Sequence, residues 1–542
     1  MIWRCVLIAL SSAVLVSVPT AQTPSQTPAD LVLRGGKIIT LDSTDRVGQA
    51  IAIRGNRIVA VGSDVEIQRL VGPSTRVVPL QGRGVAPGFI DSHTHVESTA
   101  EFRHFWIDLH SPPLPPERSN AAIMRALGER VRQVPPGTWV VGQGPFGPQI
   151  PPTMAELSEA FPNHPVVVKY GMHQYVANRK ALVMANITKF TPDPPGSRIE
   201  RDADGEPTGM LLENFELFPI PYPPADLKRA LVMTLTEDFL KQGVTTVYEL
   251  TVTPAANGLY QELYDEAKLP VRLHLGYMVY PALQPVIDLD SLLKMAIHTG
   301  FGDDWLRIGP AKLFVNGAGA GVPLIRRSQT ELTQTALRLH HAGWQLWIHA
   351  IGEPAQDMAL EALETVLKTD PRPDHRHRIE HIGGSLDRPR FDRMKRLGII
   401  PVPTEPSQPF GSRSGGRDAV RYPYRTMLEM GFQPPGNSDT GGSYSWNMNV
   451  IARLAMFVTR ATEEGGTDHP EQTVTVTQAL RILSTYGAYA GFEEKSRGTL
   501  EPGQLADLVV FSEDPLAIPA ARLKDLRVDA TIIDGAVRYE RR

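Results

Sequence analysis

Short apolar runs open the chain and are broken by turn residues. The runs at 31–34, 37–40, 49–54, 57–62 and 76–81 are separated by Gly-Gly, Gly-Asn and Gly-Arg pairs, a strand-and-turn pattern. It predicts a small β unit between Asp30 and about Val85. The same texture returns at 498–511, 528–533 and 536–539, with Asp534-Gly535 as a turn. A terminal hairpin alone is marginal in water, so the two ends, 30–85 and 497–542, are expected to pair into one small β-sandwich. Between them, apolar strands alternate with helical stretches, the signature of βα units and a parallel sheet. Candidate strands end near His95, Glu249, Val279, Phe314, His349, His381, Pro403 and Ser438. Eight such strands predict an α/β fold, a (β/α)8 TIM-type barrel over 86–496, with catalytic residues at the C-terminal strand ends. Residues 97–230 are too many for one connection and hold strands of their own at 139–142 and 165–170. They predict a large insertion after the first strand that caps the barrel mouth.

The first residues change this picture. Arg4 precedes an apolar run from Cys5 to Val18, and Thr20-Ala21-Gln22 offers a small-residue cleavage site. The run is too short for a comfortable membrane span. We expect a signal peptide over 1–21, a linker over 22–29, and an exported protein, periplasmic or secreted. The only cysteine, Cys5, lies in that signal, so the mature chain has neither a disulfide nor a thiolate metal ligand. The balance of 55 Lys+Arg against 59 Asp+Glu, without a dense basic run, argues against a nucleic-acid surface.

The candidate chemistry sits at the strand ends. Residues 86–97 read Ala-Pro-Gly-Phe-Ile-Asp-Ser-His-Thr-His-Val-Glu. Strand residues two apart share a side, so His93 and His95 can reach one ion, and imidazole is the commonest metal ligand. Lys312 stands inside an apolar strand, where burying an ammonium is costly. It is either salt-bridged or deprotonated and carboxylated, the carbamate then being able to bridge two metals. His349 and His381 each close a later strand. His375 and His377 are the rivals on the second of these, and His381 is favoured by its place before Gly383-Gly384. Asp439, in Asn437-Ser438-Asp439-Thr440-Gly441, falls at the eighth strand position. Alone it reads as a helix cap. Beside a histidine cluster it reads as a metal-linked carboxylate and general base.

Taken together, these residues resemble the amidohydrolase superfamily, and within it the subgroup that includes N-substituted formamide deformylases (amidohydrolase family 3). Further subgroup markers are Gly137-Thr-Trp-Val-Val-Gly-Gln-Gly, His173 with Asn178-Arg-Lys-Ala-Leu, Gly205-Glu-Pro-Thr-Gly with Glu213, and Gly243-Val-Thr-Thr-Val. The resemblance implies two divalent metal ions, with zinc favoured by nitrogen and oxygen ligands. His93, His95 and Asp439 would hold one ion and His349 and His381 the other, with carboxylated Lys312 between them. It also implies hydrolysis of a non-peptide amide, N-formyl or cyclic amide bond by a metal-bridging hydroxide, Asp439 passing the proton to the leaving nitrogen. The chain departs from the pattern at Asn316-Gly317, at Gly171 and at Pro145-Phe146, all near the expected substrate pocket.

His173, Trp139 and Phe146 are the candidate substrate contacts, with Tyr175 and Trp446 as further aromatic wall. The expected partner is a small-molecule substrate, with no nucleic acid and no stable membrane anchor, and a homodimer is allowed. Ester or lactone hydrolysis, isomerisation on the same site, and a non-catalytic ligand-binding barrel are the alternatives.

Overall fold

The computed structural model describes residues 27–109, 119–144, 151–171, 173–194, 196–250, 253–279, 288–317, 327–382, 388–403, 420, 422–441, 449–462 and 465–542. The signal segment and most of the linker lie outside them. Among the described residues no helix is long and apolar enough to cross a membrane.

A curled sheet of seven parallel strands forms the centre, in the order Ile400–Val402, Arg378–Glu380, Leu346–His349, Leu306–Phe314, Arg272–Met278, Val244–Leu250, Phe89–Thr94. We call these the first to seventh barrel strands in chain order. The second is buried along its whole length, as expected of a parallel strand covered on both faces. Capped helices follow several of them. Helix Pro254–Asp265 starts on Thr253, and helix Gln329–His341 starts on a capping box of Ser328 and Glu331. Two apolar clusters line the sheet, one around Phe89, Leu231, Val247 and Leu454, the other around Leu313, Trp344, Ile348 and Leu363.

The eighth position differs from expectation, because no regular strand forms there. Pro434 and Pro435 lack the N–H that a ladder needs, and Asp439 adopts a left-handed backbone, φ 48°. Residues 436–440 nevertheless lie along the first strand. Ser92 N–H donates to Gly436 O at 3.0 Å, Asp439 N–H to His93 O at 2.9 Å, and His95 N–H to Thr440 O at 2.9 Å. On the other flank the Asn437 amide donates to Pro403 O at 2.8 Å. An irregular segment therefore spans the gap between the seventh strand and the first.

Residues 107–212 build a separate six-stranded sheet, in the order 198–201, 207–212, 174–177, 166–170, 140–144, 107–108. The ends of the expected insertion pack with the barrel layer, since Ala100, Leu227 and Ala230 share the barrel's apolar cluster. At the chain ends, strands Leu508–Phe511, Val528–Ile533 and Ala536–Glu540 join Gly84–Pro87, Lys37–Ile39 and Val47–Gly48 in one sheet. A second sheet holds Leu31–Arg34, Ala50–Arg54, Arg57–Gly62 and Arg76–Pro79. Strand Gly84–Pro87 feeds the first barrel strand through Gly88, where a Cβ would lie 2.3 Å from the Thr245 side chain.

Candidate metal centre

His93 and His95 stand at the end of the first strand, His95 at the cap of helix Val96–Phe105. Their outer nitrogens are fixed first. His93 Nδ1 lies 2.7 Å from Glu380 Oε2, and His95 Nδ1 lies 3.0 Å from Leu250 O. A carbonyl or a carboxylate only accepts, so each ring carries its proton on Nδ1 and its lone pair on Nε2. Both Nε2 atoms approach Asp439 Oδ1, at 3.5 and 3.4 Å. One ligand atom from each of His93, His95 and Asp439 lies within 4.8 Å of the others.

The other expected residues continue this cluster. His381, itself left-handed at φ 63°, places Nδ1 3.8 Å from Asp439 Oδ2. The His349 ring lies 4.4 Å from that of His381 and stacks on Phe314 at 4.6 Å. Lys312 is fully buried, with Nζ 3.1 Å from His93 Nε2. The six side chains expected to bind metal are thus joined by a continuous set of contacts. The rivals are elsewhere: His375 and His377 precede the sixth strand, at the opposite end of the barrel, where His377 Nε2 meets His340 Nδ1 at 2.8 Å.

Burial drives the electrostatics. It pushes His93 down to about 3 and His381 down to about 4, so both rings are neutral at physiological pH. It also pulls Lys312 down to about 8, against the opposing pull of Glu380 and Asp439. Burial alone would raise Asp439, but the surrounding imidazoles of His95, His93 and His381 carry it below the usual carboxylate range. Glu380 behaves likewise, because Arg378 and His93 outweigh its burial. Neutral imidazoles, an ionised carboxylate and a depressed lysine, without sulfur, fit a divalent cation such as zinc.

Several supporting residues escaped the sequence reading. Arg378 grips Glu380 with two bonds of 2.7 and 2.8 Å, and its guanidinium lies 3.4 Å over the Trp347 ring. The signal was present as two charged residues two apart in a buried strand. Asp91 accepts the Ser438 N–H at 2.9 Å and so anchors the segment that carries Asp439. Glu249 accepts the N–H groups of Val96 and Glu97, fixing the turn after His95.

Of the expected substrate contacts, His173 bonds Glu213 through Nδ1 at 2.9 Å. Trp139 is instead packed into the insertion, its ring 6.1 Å from Phe218. Tyr175 likewise packs on Phe215 at 5.3 Å. These rings serve the insertion's own apolar core, which residues 107–212 need because they form a separate sheet. Phe146 and Trp446 lie outside the described residues.

Barrel and site together define a metal-dependent hydrolase acting on carbon–nitrogen bonds. The chain belongs to the amidohydrolase family, whose pattern it matches over residues 76–539. It is similar to the N-substituted formamide deformylase of Arthrobacter pascens, 30% identical across 94% of this chain and 98% of that protein. It is also similar to the Arabidopsis thaliana protein LONG AFTER FAR-RED 3, 27% identical across 90% of this chain and 88% of that one. Among solved structures, an uncharacterized metal-dependent hydrolase from Pyrococcus horikoshii shares the fold, with a TM-score of 0.70 at 20% identity over 91% of this chain and 99% of the other. A zinc complex of atrazine chlorohydrolase from Arthrobacter aurescens does so with a TM-score of 0.54 at 15% identity, over 94% of each chain.

Proposed function

We propose that this protein hydrolyses a small non-peptide amide, with N-substituted formamides as the first substrate class and cyclic amides as the second. The observation that carries this reading is the convergence of His93, His95, Asp439, Lys312, His381 and His349. The formamide assignment draws on the 30% relative, which is similar along nearly its whole length.

His93, His95 and Asp439 would hold one divalent ion, and His349 and His381 a second. We assign zinc on the donor set. Lys312, pulled down to about 8, offers an amine that would add to carbon dioxide with release of one proton, giving a carbamate whose carboxylate would help to hold the ions. When bound, the ions supply Lewis acidity and an activated water at neutral pH. The protein's own groups do the rest. Glu380 and the Leu250 carbonyl hold His93 and His95 in the ligating tautomer. Asp439, kept ionised, accepts a proton at Oδ2 or Oδ1 and returns it to the leaving nitrogen. His173, from the insertion, contacts the substrate at the mouth.

We further read the two terminal sheets as one β-sandwich, because Leu31, Ile51, Val85, Leu508 and Ile532 share a single apolar cluster. Export to the periplasm or medium follows from the apolar run before Ala21.

The test is metal analysis with a substrate screen. Protein expressed with zinc should hold about two ions per chain and lose turnover on chelation. A preparation that binds no metal and cleaves no N-formyl, N-acyl or cyclic amide overturns the reading.

A further inference from the structure

Only Ala350, Ile351 and Gly352 separate His349 from helix Glu353–Thr369. A turn this short decides where the last side chain of the strand points. The helix does not fix it. Gly352 stands at the helix cap with φ 82° and has no side chain to bind the first N–H groups. Thr253 and Ser328 do that for the helices after the second and fourth barrel strands.

The turn is held instead from the neighbouring strand. The Asn316 side chain donates through Nδ2 to Ile351 O at 2.8 Å, and its Oδ1 accepts the Ile351 N–H at 3.0 Å. One amide thus takes both main-chain groups of one residue, which also settles which end of the amide is which. Asn316 is wholly buried. Beside it, Val315 N–H donates to His349 O at 2.9 Å and carries the ladder past the strand end. Lys312, Phe314 and Asn316 are spaced by two, so they project to one side. Lys312 Nζ lies 5.1 Å over the Phe314 ring, and that ring stacks on His349 at 4.6 Å. The same face of the fourth strand therefore meets His349 twice, at its ring and at its turn.

We infer that Asn316 is a positioning residue for His349, and that its clamp on Ile351 aims the His349 ring at the second ion. The amide is the group this place needs. A carboxylate only accepts and would oppose Ile351 O. An apolar side chain would leave both main-chain groups without their partner. The inference rests on the two-ion reading above and adds to it a residue that touches neither ion nor substrate.

The experiment titrates zinc into the metal-free full chain, with a chromogenic chelator as competitor. His349→Ala identifies the ion that depends on that ligand. Asn316→Ala should weaken the same ion by about 10–100-fold, as when a group supporting a ligand is lost, and leave the ion at His93, His95 and Asp439 in place. Asn316→Asp should be close to wild type at about pH 6 and fall short of it at about pH 8.5, each compared at the same pH, because only a protonated carboxyl can donate to Ile351 O. Amide exchange gives a reading without metal: Ile351 should exchange faster in Asn316→Ala, while Val315 stays protected. Unchanged zinc affinity in Asn316→Ala overturns the inference, and so does an Asn316→Asp shortfall that does not grow with pH. Should Asn316→Ala fail to fold, the Asn316→Asp profile decides alone. If wild type and His349→Ala bind zinc alike, the two-ion reading fails together with the metal role of Asn316. The Ile351 exchange then still decides whether Asn316 holds the turn.

Discussion

Glu493 and Asp439 are both buried carboxylates beside histidines, at opposite ends of one barrel. Glu493 sits near the strand starts, 3.0 Å from His274 Nε2 and within 3.4 Å of the guanidinium groups of Arg307 and Arg497. Its charge is answered within the protein. Burial opposes its ionisation, yet the arginines and His274 bring it down to about 2. Asp439, at the strand ends, meets the imidazoles of His93, His95 and His381. A neutral imidazole gives a lone pair, not a positive charge. The first cluster is thus a closed ionic plug, while the second is composed to receive a cation. Between them runs a column of stacked groups: His274 lies 4.2 Å from Tyr248, Tyr248 5.3 Å from Trp347, and Arg378 3.4 Å above Trp347. Arg378 then holds Glu380, and Glu380 holds His93. The same ingredients give stability or chemistry according to which partner completes the charge.

Four measurements can break or sharpen this contrast. Asp439→Asn should lower kcat by about 10²–10⁴-fold, as expected for loss of a general base, with the folded protein retained. Steady-state assays beside a thermal melt check it, and near-normal turnover would remove Asp439 from the chemistry. Glu493→Ala should act in the opposite sense. It leaves the buried Arg497 guanidinium and the partly exposed one of Arg307 short of their carboxylate and should cost about 3 kcal/mol of stability, while turnover per folded molecule stays close to wild type. Urea titration monitored by circular dichroism reads the first quantity. A large fall in kcat without destabilisation would erase the distinction between the two ends.

Glu380→Gln should weaken metal affinity or activity by about 10–100-fold, the usual effect of disturbing a partner behind a ligand. Competition with a chromogenic chelator would show it. The smallest effect concerns pH. Burial lowers Lys312 to about 8, so its reactive neutral amine predominates above that value and falls about tenfold for each pH unit below it. Reactivation of metal-free enzyme with zinc at a constant concentration of dissolved carbon dioxide should therefore speed up from pH 6 to about pH 8 and then level off. A rate independent of both carbon dioxide and pH would argue against a carbamate at Lys312.

Much of this architecture was legible because parallel strands are covered on both faces and read as unbroken apolar runs. The ends expected near Glu249, Val279, Phe314, His349, His381 and Pro403 lie within about one residue of the observed strand ends. The six candidate ligands could be picked out for the same reason, since a polar residue closing an apolar run is conspicuous. Other features were hidden because they are relations between distant residues. Nothing local to Arg378-Ile379-Glu380 says that its carboxylate turns to His93, or that Asp91 anchors Ser438. The eighth position was read as a strand and is not one, because its prolines and left-handed Asp439 remove the ladder pattern itself. Trp139 shows the converse difficulty: an aromatic beside a subgroup marker looks like a pocket wall, while its ring belongs to the insertion's own core.

The irregular eighth segment has a bearing on how the barrel comes together. Two of its three main-chain bonds to the first strand are made by the ligand residues' own backbone, Asp439 N–H reaching the carbonyl of His93 and His95 N–H that of Thr440. Joining the first and last staves of the sheet and assembling the ligand set are therefore one event. An ion gripped by His93, His95 and Asp439 would act as a clasp across the seam, and its binding energy would count as folding energy. The seam should then be the last part of the sheet to close and the first to breathe. Amide exchange at Ser92, His95 and Asp439 should quicken when zinc is withdrawn, while the amides between the second and third strands keep their protection.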